Sequence, residues 1–175
     1  MEEKHLFRKA QLTFILFAVL ACIGFDQASK HLARRAFGDS PVSILHDAVR
    51  FELVENHGGF LSLGIRFSDG PRHMFFLILV PLVLAGVVLK ALRSRHTDTA
   101  RLLALSLVLG GGAGNLLDRI TNDGAVIDFI SLGFGHWRSG IFNLADVAIL
   151  VGLIVYLLRG RGECPRRDSN LNPAT

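Results

Sequence analysis

The sequence predicts an all-α membrane protein with a small β element, built from four transmembrane helices and a sheet outside the membrane. Half of the 175 residues are hydrophobic, and 13 of them are phenylalanine. A soluble domain of this size would need a larger polar surface. Apolar stretches close to the ~20 residues of a transmembrane helix also recur along the chain, which is typical of a polytopic membrane protein.

The four predicted spans cover about residues 11–27, 74–92, 102–117 and 140–158. Some are shorter than the ~20 residues that cross a ~30 Å hydrocarbon core. We therefore expect their ends to extend into polar flanks, or the bilayer to thin locally. An even number of spans places both termini on the same side of the membrane.

Positive charge predicts which side that is. Lys and Arg cluster before the first span, between the second and third, and after the fourth. Because cytoplasmic segments are rich in these residues, both termini are expected in the cytoplasm. The connections 28–73 and 118–139 balance their bases with acids and are expected outside. The net charge of +4 is thus interpreted as a topology signal, and no nucleic-acid partner is expected.

The long outer connection predicts the β element. Val49, Phe51 and Leu53 alternate with Arg50, Glu52 and Val54 in AVRFELVEN, and HGGFLSLGIRF follows directly. Alternation followed by a glycine pair indicates two short strands joined by a turn. A small sheet, or cradle, is therefore expected above the helices.

We expect residues 1–158 to form a single polytopic membrane domain. The outer cradle lies within 28–73 and an outer loop covers 118–139. The polar segment 159–175 is expected to be a disordered cytoplasmic tail, because it has too few apolar residues to pack.

The two cysteines, Cys22 and Cys164, are too few and too far apart for a disulfide framework or a metal site. One alternative concerns the N-terminus, where a basic segment, an apolar run and VLAC ending at Cys22 match a cleaved lipoprotein signal peptide. Against cleavage, Leu20 is large where small residues are usual, and the rest of the chain is itself membrane-spanning. We expect Cys22 to stay within the first span.

Acidic and amide side chains gather at the outer ends of the predicted spans. Acidic groups at the edge of the hydrocarbon are costly, so they usually have a function. The topology brings six such residues to one membrane face: Asp26, Asn115, Asp118, Asp128, Asn143 and Asp146.

Asp128 and Asp146 are the two acids most closely surrounded by apolar residues. Two carboxyl groups held close in a medium of low dielectric cannot both ionise easily, so one keeps a proton while the other stays charged. The charged group can take a proton from water, and the neutral group can polarise a carbonyl. This division of roles is that of an aspartic protease, and it requires no cofactor or metal.

Structural alternatives exist for two of these acids. Asp146 follows Asn143 by three residues at the start of a helix, where it could act as a helix-dipole partner with Asn143 as the N-cap. Asp118 is expected to form a local ion pair with Arg119, which would give it a supporting role.

Asp26 is interpreted as a surface residue paired with Lys30 at helical i,i+4 spacing. The glycine run 110–114 lacks the lysine and hydroxyl residue of a P-loop and is expected to let helices approach closely. The histidines lack paired metal-ligand spacing, so no metal is expected. A serine acting with Lys30 stays open as an alternative nucleophile.

Five motifs follow one another along the chain. They are DQASK at 26–30, VENHGG at 54–59, GGGAGNLLDR at 110–119, VIDFI at 126–130 and FNLADVAI at 142–149. With these motifs the chain resembles the lipoprotein signal peptidases, or signal peptidase II, of bacterial inner membranes. The resemblance implies four transmembrane helices with a periplasmic β-cradle and a short outer helix. It also implies an aspartic endopeptidase that cuts prolipoproteins just before a diacylglyceryl-modified cysteine.

The resemblance implies a role for each matched residue. Asp128 and Asp146 fall on the catalytic aspartates. Five residues fall on substrate-binding or supporting positions: Asn56, Asn115, Asp118, Arg119 and Asn143. Asp26 and Lys30 fall on a block that is mainly structural. The second motif departs from the usual NxGAAF pattern, since NHGGFL stands here, and we expect altered loop packing or lipid preference without loss of chemistry.

Two other functions compete with this interpretation. A proton- or cation-coupled membrane carrier would also use buried acids, but it predicts acids through the whole membrane depth. A scaffold protein that binds a partner through the outer sheet gives no reason for two acids with apolar flanks. The expected partners are therefore prolipoprotein substrates and membrane lipids, with no obligate protein partner.

Overall fold

The protein was analysed as a computed structural model that describes residues 2–37, 40–57, 69–93 and 98–160. The described residues form four helices and four strands. In chain order these are α1 (Glu2–Ala36), β1 (Val42–Ile44), β2 (Val49–Asn56), α2 (Asp69–Arg93), α3 (Thr99–Thr121), β3 (Val126–Phe134), β4 (Trp137–Arg138) and α4 (Leu144–Gly160). Most of the strand expected in HGGFLSLGIRF, and most of the expected tail, lie outside the described residues.

Each of the four predicted spans coincides with a helix, but the helix limits differ from those predicted. The first helix continues to Ala36, because the polar residues after the apolar run are compatible with helix. The last helix begins only at Leu144, because Asn143 caps it. Two helices in the described part are long and apolar enough to cross a membrane: Lys9–Ala36, with mean hydropathy 1.8, and Thr99–Thr121, with 1.4.

The helices pack around α3, which contacts α1, α2 and α4. Small residues make these approaches possible, as the sequence predicted. A Cβ added to Gly110 would lie 2.6 Å from the Cβ of Cys22, and one added to Gly152 would lie 2.7 Å from the carbonyl oxygen of Ala104. Substituting either glycine would force the helices apart.

The outward faces of the helices carry large apolar side chains. Phe17 and Phe25 are each 73% exposed, and Leu82 is 64% exposed. Contiguous exposed apolar surface marks contact with a partner or a membrane. The helix bundle is thus apolar outside and holds its polar groups inside.

The four strands form one antiparallel sheet in the order β1-β2-β3-β4. The predicted strand in AVRFELVEN is confirmed as β2, which pairs with β3 from Val49 opposite Leu132 to Asn56 opposite Val126. VIDFI opens β3, within the segment 118–139 that was expected to be an outer loop. Because both faces of VIDFI are buried, its sequence does not alternate as an exposed strand would.

Candidate active site

The predicted site residues converge where the sheet meets the helix bundle. The end of α1, the end of α3, the start of α4 and strand β3 come together at this point, which we call the junction. It contains all nine residues singled out from the sequence: Asp26, Lys30, Asn56, Asn115, Asp118, Arg119, Asp128, Asn143 and Asp146.

Asp128 lies in β3 and is 2% exposed. Its carboxylate accepts hydrogen bonds from the side-chain amides of Asn56, at 2.7 Å, and Asn143, at 2.6 Å. Burial raises the pKa of Asp128 to about 6, and the negative charge of Asp146 acts in the same direction. The two amide donors favour the charged form and oppose this rise. Asp128 is therefore a carboxyl group that takes up a proton close to neutral pH.

Asp146 lies in the first turn of α4. Its Oδ1 accepts a hydrogen bond from the Asn115 side chain at 2.9 Å. Its backbone N–H donates to Asn143 Oδ1 at 3.0 Å, and the backbone N–H of Asn143 donates back to Asp146 Oδ2 at 3.4 Å. This reciprocal arrangement is a capping box, so the predicted capping role of Asn143 is confirmed. One oxygen of Asp146 thus closes the helix end while the other faces α3.

Asn143 links the two aspartates. It is completely buried, and its Nδ2 lies 2.6 Å from Asp128 Oδ1 and 3.1 Å from Asn115 Oδ1. At the same time its Oδ1 accepts the backbone N–H of Asp146, and its own backbone N–H donates to Asp146 Oδ2. Asp128 and Asp146 therefore have a common neighbour, although 18 positions separate them in the sequence.

A second group of charges, which we call the lysine cluster, consists of Asp26, Lys30 and Asp118. The Lys30 ammonium lies 2.6 Å from Asp26 Oδ2 and 2.9 Å from Asp118 Oδ2, and all three side chains are less than 5% exposed. The i,i+4 pair of Asp26 and Lys30 is confirmed, but its expected surface position is wrong. Asp118, brought alongside by α3, adds the second carboxylate that makes burial of the lysine tolerable.

Asp118 forms a close ion pair with Lys30 of α1, and it also interacts electrostatically with Arg119 as expected. Arg119 donates to the backbone carbonyl of Asn115 at 3.1 Å. Its guanidinium is close enough to Asp128 and Asp146 to interact with both electrostatically. Arg119 is thus the cation that faces the aspartate pair.

Sequence reasoning missed one side chain and two backbone groups. Gln27 donates to Asp118 Oδ1 at 2.8 Å and so belongs to the junction. Nothing in DQASK indicates that its second residue faces inward. The backbone N–H of Ile127 donates to Asp118, and that of Ala145 donates to Asp26. No sequence pattern predicts these two hydrogen bonds.

The small size of Gly114 allows α1 and α3 to meet at the lysine cluster. A Cβ at this position would lie 2.7 Å from Asp26 Oδ2. Within the part of the chain that the structure describes, no three His, Cys, Asp or Glu side chains are grouped as metal ligands would be.

Comparison with known proteins gives this arrangement a context. The family model described as signal peptidase (SPase) II matches residues 18–160. A lipoprotein signal peptidase of Chlorobium luteolum is 36% identical over 155 residues, which cover 82% of this chain and 89% of that protein. A lipoprotein signal peptidase of Borrelia duttonii is 32% identical over 149 residues, covering 82% and 86%.

Solved structures show the same fold. A bacterial membrane enzyme determined by the in meso method superposes with a TM-score of 0.75 at 21% identity, covering 86% of this chain and 94% of the other. A second such structure gives a TM-score of 0.74 and covers 93% and 94%. With the family model spanning both aspartates and the junction around them, the chain belongs to the signal peptidase II family.

Proposed function

We propose that this protein is an aspartic endopeptidase of the bacterial inner membrane that cuts prolipoproteins just before a diacylglyceryl-modified cysteine. As a member of its family it is a protease that removes the signal peptide from prolipoproteins. Beyond family membership, we propose the aspartic catalytic type, the requirement for the lipid and the role of each residue.

The observation that carries the proposal is the link between Asp128 and Asp146 through Asn143. Asp128 is buried and Asp146 half-buried, and two such carboxyl groups with a common neighbour share their protons as a pair. The raised pKa of Asp128 makes it the member that more readily holds a proton. Asp146 then acts as the charged member.

The reaction follows from this assignment. Asp146 takes a proton from a water molecule, whose oxygen attacks the scissile carbonyl carbon, while Asp128 gives its proton to the carbonyl oxygen. The tetrahedral intermediate then collapses, and the C–N bond breaks. The proton held by Asp146 passes to the amine of the departing cysteine. Asp128 recovers its proton from the hydroxyl group of the intermediate.

The surrounding donors have supporting roles. The positive charge of Arg119 faces both aspartates and would offset negative charge that develops on the intermediate. Asn115 orients Asp146, and Asn56 orients Asp128 from the end of β2. Asn56 is also the first residue of the NHGGFL segment, and we assign the substrate contact of this segment to Asn56.

The membrane setting explains why the site lies at the junction. We propose that all four helices span the membrane, with both termini in the cytoplasm and the sheet in the periplasm. A diacylglyceryl group would anchor the cysteine in the bilayer and hold the scissile bond at the height of the helix ends. Anchorage supplies proximity, so the enzyme needs few contacts along the peptide.

The test is cleavage of a purified diacylglyceryl-modified prolipoprotein, followed by its gel shift. Wild-type protein should cleave it, and the unlipidated precursor should be a poor substrate. Asp128→Asn and Asp146→Asn should each lower turnover by roughly 10²–10⁴-fold, the range typical of general acid–base groups. A chelator should have no effect. Near-normal turnover by Asp128→Asn would refute the aspartic mechanism, and loss of activity with EDTA would favour a metalloenzyme.

The carrier alternative gains no support from the comparisons, which give a peptidase family and peptidase relatives. Within the part of the chain that the structure describes, the six acids and amides gather at one end of the helices. A carrier would require such groups along the whole path.

A further inference from the structure

We propose that Lys30 is a positioning residue that sets the distance between the two catalytic aspartates by holding the backbone beside each of them. This inference rests on the proposed function, because it assigns a role in the same reaction. Lys30 itself touches neither Asp128 nor Asp146. It acts through the side chains of Asp26, Asp118 and Asn115.

The first arm runs through Asp118. Its Oδ2 receives the Lys30 ammonium at 2.9 Å and also the backbone N–H of Ile127 at 3.0 Å. Ile127 immediately precedes Asp128 in β3. The side chain of Asp118 therefore fixes where β3 begins its approach to the helix bundle, and with it the position of Asp128.

The second arm runs through Asp26. Its Oδ2 binds the Lys30 ammonium at 2.6 Å, while its Oδ1 accepts the backbone N–H of Ala145 at 3.0 Å. Ala145 immediately precedes Asp146. The first N–H groups of a helix have no partner within the helix, so this carboxylate fixes the start of α4 by satisfying one of them.

A third contact joins Lys30 to the aspartate pair from the side. Its ammonium donates to Asn115 Oδ1 at 3.2 Å, and the Nδ2 of the same amide donates to Asp146. An ammonium has three N–H donors, and these three acceptors account for all of them. Binding Oδ1 of Asn115 also fixes the orientation of the amide, so that its Nδ2 faces Asp146.

The two arms are equivalent in form. In each, a buried carboxylate binds Lys30 and the N–H of the residue just before a catalytic aspartate. One arm holds a strand and the other holds a helix, so no local segment of the chain could set the separation of Asp128 and Asp146. Lys30 sets it because its ammonium is the point where both arms meet.

The experiment compares Lys30→Met with Arg34→Met in the full-length protein, using the diacylglyceryl-modified prolipoprotein as substrate. Arg34 lies one helical turn further along α1 and lines a cleft together with Lys30, but it is exposed and donates to Asn122 instead. We expect Lys30→Met to lower kcat on the order of 10²-fold with little change in KM, since small displacements at a reacting centre cost about that much. Arg34→Met should change neither.

Two further variants separate positioning from folding. Asp118→Asn keeps an oxygen that can accept the Ile127 N–H, whereas Asp118→Ala removes it, so kcat per folded molecule should fall much further for Ala than for Asn. Thermal unfolding in detergent measures the folded fraction for each variant. If Lys30→Met does not fold, the kcat ratio of the two Asp118 variants decides the question by itself.

The inference is overturned if folded Lys30→Met keeps the wild-type kcat, if Arg34→Met loses as much, or if the two Asp118 variants have equal kcat values. Wild-type protein and Asp128→Asn are assayed alongside. Failure of the proposed function would appear as an inactive wild type or an active Asp128→Asn. Failure of this inference would appear as an active Lys30→Met beside an inactive Asp128→Asn.

Discussion

The junction holds two pairs of aspartates that differ in what binds them. Asp26 and Asp118 both contact the Lys30 ammonium. Asp128 and Asp146 are bound by the neutral amides of Asn56, Asn115 and Asn143. Both pairs use the same residue type and lie at the same end of the helix bundle.

The difference shows how the environment decides the role of a carboxylate. The contacting ammonium fixes the geometry of both carboxylates, so the first pair serves as a bridge between α1 and the rest of the junction. Neutral amides orient the second pair, and the charge of Arg119 acts on both of its members. In this pair, burial raises the pKa of Asp128, so that it can hold the proton that catalysis moves.

The largest effect should come from breaking the residue that both catalytic aspartates share. Asn143→Ala removes the amide donor to Asp128 and the N-cap of α4, so we expect activity to fall by at least about 10²-fold. Stability should fall by about 1 kcal/mol. Asn143→Ser is the matched control, because serine keeps the cap but cannot reach Asp128 as the amide does. Thermal unfolding and turnover of both variants check this, and a fully active Ala variant would contradict it.

A smaller effect, on pH dependence, should follow from removing one donor to Asp128. The folded-state pKa of Asp128 is raised to about 6, so its proton is held below that pH and lost above it. We expect kcat/KM of the free enzyme to fall as pH rises through this region. Asn56→Ala deletes a hydrogen bond that favours the charged form, so the alkaline limb should move to higher pH. An unchanged or lowered limb, measured from pH 5 to 9, would contradict the assignment.

The smallest effect, a change in thermal stability without a change in turnover, should come from substituting a carboxylate outside the junction. Asp47 accepts hydrogen bonds from Ser43 and Arg50 and faces Arg138 in β4, which lowers its pKa to about 2. A depressed pKa adds stability above the unfolded value near ~4, and this stability is lost as pH falls toward 2. Asp47→Asn should therefore lower the melting temperature at pH 7 more than at pH 3. Turnover per folded molecule should be unchanged.

The sequence was sufficient to predict the helices, strand β2 and the residues that gather at one end. Alternation of apolar residues identified β2 because one of its faces is more polar than the other. The same reasoning did not find β3, since a segment buried on both faces has no such alternation. Polar motifs between apolar runs indicated the site because acidic groups at the membrane edge are energetically costly and are usually functional.

The burial of Lys30 could not be predicted, because it depends on a partner far away in the sequence. With only Asp26 in view, an i,i+4 pair is most simply placed on a surface. Asp118 provides the second carboxylate that allows Lys30 to be buried. Only the packing of α1 against α3 brings Asp118 within 2.9 Å of the Lys30 ammonium. The backbone contacts of Ile127 and Ala145 lie beyond sequence reasoning for the same reason.

The most direct test of the account is a side-by-side measurement of kcat for the four single variants Asp26→Asn, Asp118→Asn, Asp128→Asn and Asp146→Asn, each corrected for its folded fraction. The account predicts losses near 10³-fold for the last two. For the first two it predicts losses that are at least about tenfold smaller, accompanied by lower melting temperatures. Equal losses for all four variants, or a larger loss for Asp118→Asn than for Asp128→Asn, would contradict it.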